Sequence, residues 1–329
     1  MRRPVLLGIV VVVVVAAAGA VLLLVMQQAA PSAEPAPEQK IIKVGVLTDL
    51  TGPTADHGKP YLTGILDAHE WFEKNYPLPK GYKVELIWVD YSYKIPEAQA
   101  AYARFKALGV AAIIGYGTGD TLALAPTVAQ DKIPYISISL DAKLLRPETP
   151  YNFFPQTDYS TAGRAMVQFV VEEWNKMHGG NPPRPPRLGL AYPNNPYGLA
   201  PIDAIKDMAK QLGVEVCPDQ IVELEAVDVT AQMLKLKECG ADFVWYGGSA
   251  AGGVVVMRDA KKVGLNAPVI LNNYGTFETH IRANPEAAEG NYWFVSFSPY
   301  YPDIEKGDTP GAKIIKEFAR EKGRAPYTD

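Results

Sequence analysis

The chain has 329 residues, with 32 basic and 36 acidic side chains and a formal net charge of −4. That balance excludes nucleic acid as the main partner, because no block of Lys and Arg is clustered to meet phosphates. With 48% apolar and 21% charged residues, the composition is that of a globular chain long enough for about two domains.

Residues 1–26 begin with a basic Met1-Arg2-Arg3-Pro4, and Val5 to Met26 follow without a charge. As a helix such a run extends ~33 Å, against a ~30 Å hydrocarbon core. A signal peptide and a membrane anchor are the two readings. The length of the run and its poor small-residue cleavage cue favour the anchor, and the leading arginines predict export of everything after it. Residues 27–40 are rich in Pro and Ala and read as an extended tether.

From Ile41 the pattern alternates strand and helix. Strand candidates are Ile41–Leu47, Tyr82–Asp90, Val110–Ile114 and Ile133–Ser139. Between them, a turn-rich loop (47–60) precedes a helix over 61–74. Pro96 to Gly109 reads as a helix with proline at its start and glycine at its end, and Thr121–Asp131 as another. Such alternation implies a parallel sheet covered by helices on both faces. Leu62, Ile65, Leu66 and His69 share one helical face, which makes His69 a core histidine.

Residues 149–160 break the rhythm. A long helix (161–177), capped by Asp158 or Ser160, leads to a Pro/Gly break at 179–186. A second series follows: strand 187–192, helix 200–213, strand 214–218, helix 229–240, strand 241–246, helix 253–264 and strand 268–273. A strand at 291–297 and a helix at 309–323 complete the chain. The fold class is therefore α/β, with two doubly wound parallel-sheet lobes and a cleft between them. Cys217 and Cys239 are the only cysteines. Neither is near the N-terminus, which excludes a lipid-modified cysteine; in an exported chain they form one disulfide or stay as two buried thiols.

In open α/β sheets ligands bind at the carboxyl ends of strands, so the strand-to-helix loops are the candidates. Gly115-Tyr116-Gly117-Thr118-Gly119-Asp120 offers backbone N–H groups at a helix start. It is not a phosphate loop, because Asp120 occupies the place of the third glycine and no GK[ST] follows; Asp120 reads as a helix N-cap. Ser137, Ser139 and Asp141 bind a polar ligand or, for Asp141, cap a turn. Asn194 and Asn195 read as turn formers and Tyr197 as a ligand wall. Ser249, Asn272, Asn273 and Tyr274 complete the set. The four histidines, His57, His69, His178 and His280, are dispersed, and no HExxH, GxSxG or metal-spaced cluster is present. No catalytic residue, metal or cofactor is expected.

The opening stretch, with Thr51-Gly52-Pro53, His57-Gly58 and Gly64 in order after a strand, resembles type I periplasmic solute-binding proteins. The resemblance is to the leucine/isoleucine/valine-binding family of ABC importers. It continues through Asn195-Pro196-Tyr197-Gly198 and Asp242 to Gly253, and covers Ile41 to the C-terminus. It implies a periplasmic or extracytoplasmic protein whose two hinged lobes close on a small-molecule solute and then dock on ABC permease membrane subunits. It divides the chain into a first lobe (41–157), a second lobe (158–274) and a return to the first (275–329) that ends short of the family's pattern.

The resemblance also implies where the solute lies. Gly119 stands where amino-acid binders hold the ligand carboxylate with a serine. Ser139, Leu140 and Asp141 stand where they use backbone and a threonine. Tyr197 matches the wall tyrosine and Ser249 a second tyrosine, while Asn273 lies near the acid that pairs with the ligand ammonium. His57, Tyr116, Gly117, Thr118 and Tyr274 complete the expected lining. The loss of serine and acid points to a polar, neutral or amine-bearing solute in place of a branched-chain amino acid. Two other classes stand beside this one. A tethered ligand-sensing ectodomain would use the same lobes; a nucleotide-dependent α/β enzyme would need a phosphate loop after the first strand, which the sequence lacks.

Overall fold

The computed structural model describes residues 39–145, 147, 149–295 and 309–323. The expected anchor and almost all of the tether lie outside them. Among the described residues no helix is long and apolar enough to cross a membrane.

The first lobe runs β1 (Lys40–Thr48), α1 (Ala55–Asn75), β2 (Tyr82–Asp90), α2 (Ile95–Ala107), β3 (Ala112–Ile114), α3 (Thr118–Asp131), β4 (Tyr135–Ile136) and β5 (Asn152–Phe153). Its sheet has the order β2-β1-β3-β4-β5, with β1, β3, β4 and β5 paired in parallel. Pro96 starts α2, and Ala98, Ala101, Tyr102 and Phe105 recur at helical spacing on its buried face. Full burial of a Phe such as Phe105 stabilises by about 2 kcal/mol. These side chains meet Leu47, Ile113 and Tyr135 from the sheet in one core.

The chain then enters the second lobe: α4 (Tyr159–Met177), β6 (Arg187–Tyr192), the short α5 (Pro196–Leu199), α6 (Ile202–Leu212), β7 (Glu215–Val216), β8 (Gln220–Ile221), α7 (Thr230–Cys239), β9 (Phe243–Tyr246), α8 (Ala250–Lys262), β10 (Val269–Leu271), α9 (Glu278–Ala283), α10 (Pro285–Ala288) and β11 (Tyr292–Trp293). The sheet order is β11-β10-β9-β6-β7, with β8 also on β6, and every one of these pairs is parallel. Allowing for numbering, this is the strand order of the first lobe. Strand β9 is buried on both faces, as a central parallel strand is. Phe243 and Trp245 pack with α4 and α6, and Val244 and Tyr246 with α7 and α8. Helix α11 (Pro310–Glu321) lies against α1 of the first lobe, through Lys74–Glu321 at 2.7 Å and Lys322–Glu70.

Several local expectations change. Helix α1 starts at Ala55, six residues before the sequence reading put it, and tolerates Pro60 in its second turn. His69 is half-buried beside Glu73 and Leu66 is exposed, so of that face only Leu62 is buried in the core. Strand β11 pairs with β10 in the second sheet, beyond Tyr274, where the sequence reading ends the second lobe. Cys217 and Cys239 form a disulfide with their Cα atoms 6.1 Å apart.

Candidate functional site

In sheets of this order the strand sequence reverses between the first and third strands, and a crevice opens at their carboxyl ends. The two lobes turn these ends toward each other.

In the first lobe, the loop after β1 is held by two carboxylates. Asp49, fully buried, accepts from the N–H of Gly52 (2.6 Å) and from the N–H (2.9 Å) and hydroxyl (2.7 Å) of Thr54. Asp90 accepts from Leu50 N–H at 2.9 Å and the Thr51 hydroxyl at 2.8 Å. This fixes the first turn of α1, which carries His57 into the cleft. Gly58 permits the approach: a Cβ there would stand 1.7 Å from the Asp49 carbonyl oxygen.

The loop after β3 is anchored from β2. The Tyr91 hydroxyl accepts from Gly117 N–H at 3.2 Å and donates to Asp120 Oδ1 at 2.8 Å. Gly117 is the N-cap of α3 and Asp120 is its third residue, its carboxylate accepting from the backbone N–H groups of Gly117 and of Asp120 itself. Asp120 is therefore not the N-cap; it is a buried acid tied to Tyr91. Burial pushes its carboxyl up to about 7, against the pull of the Tyr91 hydrogen bond. Ser92 and Tyr93 follow β2 with φ of 51° and 59°. Left-handed backbone costs an ordinary residue roughly 1–2 kcal/mol, and here it aims the Tyr93 ring into the cleft. Tyr116 donates to the Thr54 carbonyl oxygen at 2.9 Å, and Ser139 donates to the Thr118 hydroxyl at 3.1 Å.

In the second lobe, Asn195 caps α5 through Gly198 N–H (3.0 Å), confirming its structural role. Tyr197 donates to the Gly248 carbonyl oxygen at 3.2 Å and accepts from Asn272 Nδ2 at 2.8 Å. Ser249 precedes α8 and donates to the Leu224 carbonyl oxygen at 3.3 Å.

The lobes touch across the cleft. Tyr274 donates to the Ile138 carbonyl oxygen at 3.0 Å. His57 Nε2 lies 3.0 Å from the Tyr274 carbonyl oxygen, and Tyr159 N–H donates to the Leu140 carbonyl oxygen at 2.8 Å. Between them is a space of about 370 Å³, partly open to solvent. The first lobe lines it with Thr54, His57, Tyr93, Tyr116, Gly117, Thr118 and Ile138, and the second with Tyr159, Tyr197, Ser249 and Tyr274. Five of these are tyrosines, and among the described residues the only other titratable one in the lining is His57. Burial pushes the phenols of Tyr93, Tyr116, Tyr159, Tyr197 and Tyr274 up, so they are neutral donors at ordinary pH. Helix α3 points its positive end here. Among the described residues, no group of three His, Cys, Asp or Glu could hold a metal ion.

Of the residues singled out in the sequence, His57, Tyr116, Gly117, Thr118, Tyr197, Ser249 and Tyr274 come together as lining. Gly119 does not line the space; a Cβ there would meet Ile95 and Pro196 at 3.4 and 3.5 Å, at the seam between the lobes. Ser139 and Leu140 stand behind the wall, buried. Asp141 accepts from Lys143 N–H at 2.9 Å, which is the turn-capping alternative. Asn273 borders a separate hollow formed by Tyr159, Tyr197, Trp245 and Phe294. Thr54, Tyr93, Ile138 and Tyr159 were missed, and only the density of aromatics around Tyr91–Tyr93 and Tyr159 signalled them.

The sequence profile of periplasmic binding proteins matches residues 41–329. A Leu/Ile/Val-binding protein homolog 7 of Brucella abortus is 23% identical over 309 residues, covering 91% of this chain and 75% of its own length. An ABC transporter substrate-binding protein of Aeropyrum pernix is 34% identical in structure-based comparison, with a TM-score of 0.76 over 87% of this chain and 73% of its own. A branched-chain amino acid ABC transporter protein of Thermus thermophilus, with bound valine, is 26% identical with a TM-score of 0.78, covering 88% of this chain and 72% of its own.

Proposed function

The chain belongs to the periplasmic binding protein family, and from that premise we propose that it is the solute-binding component of an ABC importer. It closes its lobes on a small carboxylate with an aromatic or aliphatic body and presents the closed form to a membrane permease. The observation that carries this reading is the lining: five tyrosines and His57, with no acidic side chain among them.

The carboxylate end of the solute lies at the start of α3, where the dipole and the hydroxyl of Thr118 favour an anion. The rings supply stacking surface for the body. An amino acid brings an ammonium that no lining carboxylate meets. A hydrogen bond to a charged group contributes roughly 1.5–3 kcal/mol, and micromolar binding needs about 8 kcal/mol, so a missing ammonium partner weighs against tight zwitterion binding. One specific feature favours a second reading, an amine-bearing solute: tyrosine faces attract cations.

The test is a thermal-shift panel of 4-hydroxybenzoate, hexanoate, valine, putrescine and glycine betaine on the purified chain. A ligand at a hundred times its Kd stabilises by about 2.7 kcal/mol, a rise of several degrees. The proposal expects the two simple carboxylates to stabilise and valine not to. Stabilisation by valine alone refutes the solute class, and a response only to putrescine or betaine replaces it with the second reading.

A further inference from the structure

His57 stands between the lobes with an oxygen acceptor on each ring nitrogen. Nδ1 is 2.7 Å from Asp56 Oδ1 on its own helix, and Nε2 is 3.0 Å from the Tyr274 carbonyl oxygen of the other lobe. A neutral imidazole carries one N–H and can satisfy only one of these. Turning the ring over would set carbon atoms against both oxygens. Both contacts form together only when the pair holds one more proton than a neutral histidine beside a carboxylate.

We propose that closing the cleft takes up a proton at the Asp56–His57 pair, making the pair a proton-dependent latch between the lobes. The other oxygen of Asp56 supports this, because Oδ2 accepts from Ala251 N–H at 3.3 Å in the first turn of α8, where an anion is favoured. Burial pushes the Asp56 carboxyl up, but the hydrogen bond and charge of His57 and the Ala251 N–H outweigh it and hold the carboxyl below its usual range. The groups facing the pair are Tyr116 from the first lobe and Tyr246, Tyr274 and His280 from the second. The phenols stay neutral, and burial leaves His280 readily deprotonated. The Phe277 ring, 4.5 Å from His57, closes the apolar side.

The closed form thus binds more protons than the open one, so acid favours closure and rising pH releases it. The inference rests on the reading of the lobes as a closing cleft and is independent of the solute class. It is tested on the full chain without solute. Spin labels on Lys59→Cys and Glu286→Cys, one on each lobe, give the closed-to-open ratio from pH 5.5 to 8.5. The ratio should fall by up to tenfold per pH unit as pH rises across this range. The same chain with His57→Gln, checked for fold by circular dichroism, should lose the slope, since an amide donates to Tyr274 without titrating. A flat profile in the wild type, or an equal slope in His57→Gln, overturns the proposal. The solute panel leaves this result untouched.

Discussion

Replacing Asp120 by Asn should remove a pH dependence from the stability of the first lobe. Asp120 is 2% exposed. Its Oδ1 accepts from Tyr91, while Oδ2 is buried without a hydrogen-bond partner. Burial therefore pushes the carboxyl from its usual 3.8 up to about 7. The sign follows from linkage: the folded state prefers the protonated acid. The stability this confers is complete below pH 3.8 and is lost as pH rises through about 7. The gap corresponds to about 4 kcal/mol. The first turn of α3 offsets up to ~1 kcal/mol of that by favouring the anion, which leaves about 3 kcal/mol. Urea unfolding of both proteins at pH 4 to 8 measures it. Titrations common to both cancel in the difference between them. The Asn amide carries its own constant cost, about 1–3 kcal/mol if its second N–H finds no acceptor. The variant should therefore begin level or weaker at pH 4 and gain on the wild type by about 3 kcal/mol by pH 8. Curves that stay parallel across this range would refute the buried-acid argument.

Gly117→Ala places a methyl group 2.3 Å from Asp120 Oδ1 and 2.6 Å from both the Tyr91 hydroxyl and Tyr93 Cε2. It should cost about 1–3 kcal/mol in urea unfolding and weaken any solute that shifts the wild type. Cys239→Ser opens the bond to Cys217 across a sequence separation of 22; loop-closure entropy predicts a loss of about 3 kcal/mol, read by calorimetry and reproduced by reducing the wild type. Tyr274→Phe removes the cross-lobe bond to Ile138. It should speed solute release by up to about tenfold, from a net hydrogen bond of about 0.5–1.5 kcal/mol, with no comparable loss of stability.

Periodicity made the two sheets legible because central parallel strands are continuous apolar runs, as in Phe243–Tyr246. Punctuation was less faithful. Gly58 and Pro60 suggested loop, yet both lie in α1, because the buried Asp49 holds the preceding turn and a proline this early in a helix frees only a carbonyl near its end. The cysteine pairing could not be read from spacing. It depends on α7 returning to the end of β7, which is a tertiary fact. Asp120 misled for the same reason: an acid near a helix start is by default a cap, and what overrides the default is Tyr91, 29 residues earlier in the chain.

The site shows where loop-by-loop reading runs out. Strand-end loops led to residues that line the space between the lobes, since the reversal between first and third strands is built into the strand order itself. Which side chain faces the cleft is decided by a rotation of about 100° per residue at the start of α3. One step separates Thr118, in the wall, from Gly119, at the seam. An argument for solute class based on a missing hydroxyl at Gly119 therefore loses its basis, because the hydroxyl is present at Thr118. The other half, that no acid is among the described residues lining the space, is what the proposal of a solute without an ammonium rests on. Tyr93 and Tyr159 reach the cleft from outside the strand-end loops weighed in the sequence, one by left-handed backbone after β2 and one from the start of α4. The aromatic character of the cleft was thus present in the sequence as composition, and became chemistry only when the two lobes set those rings face to face.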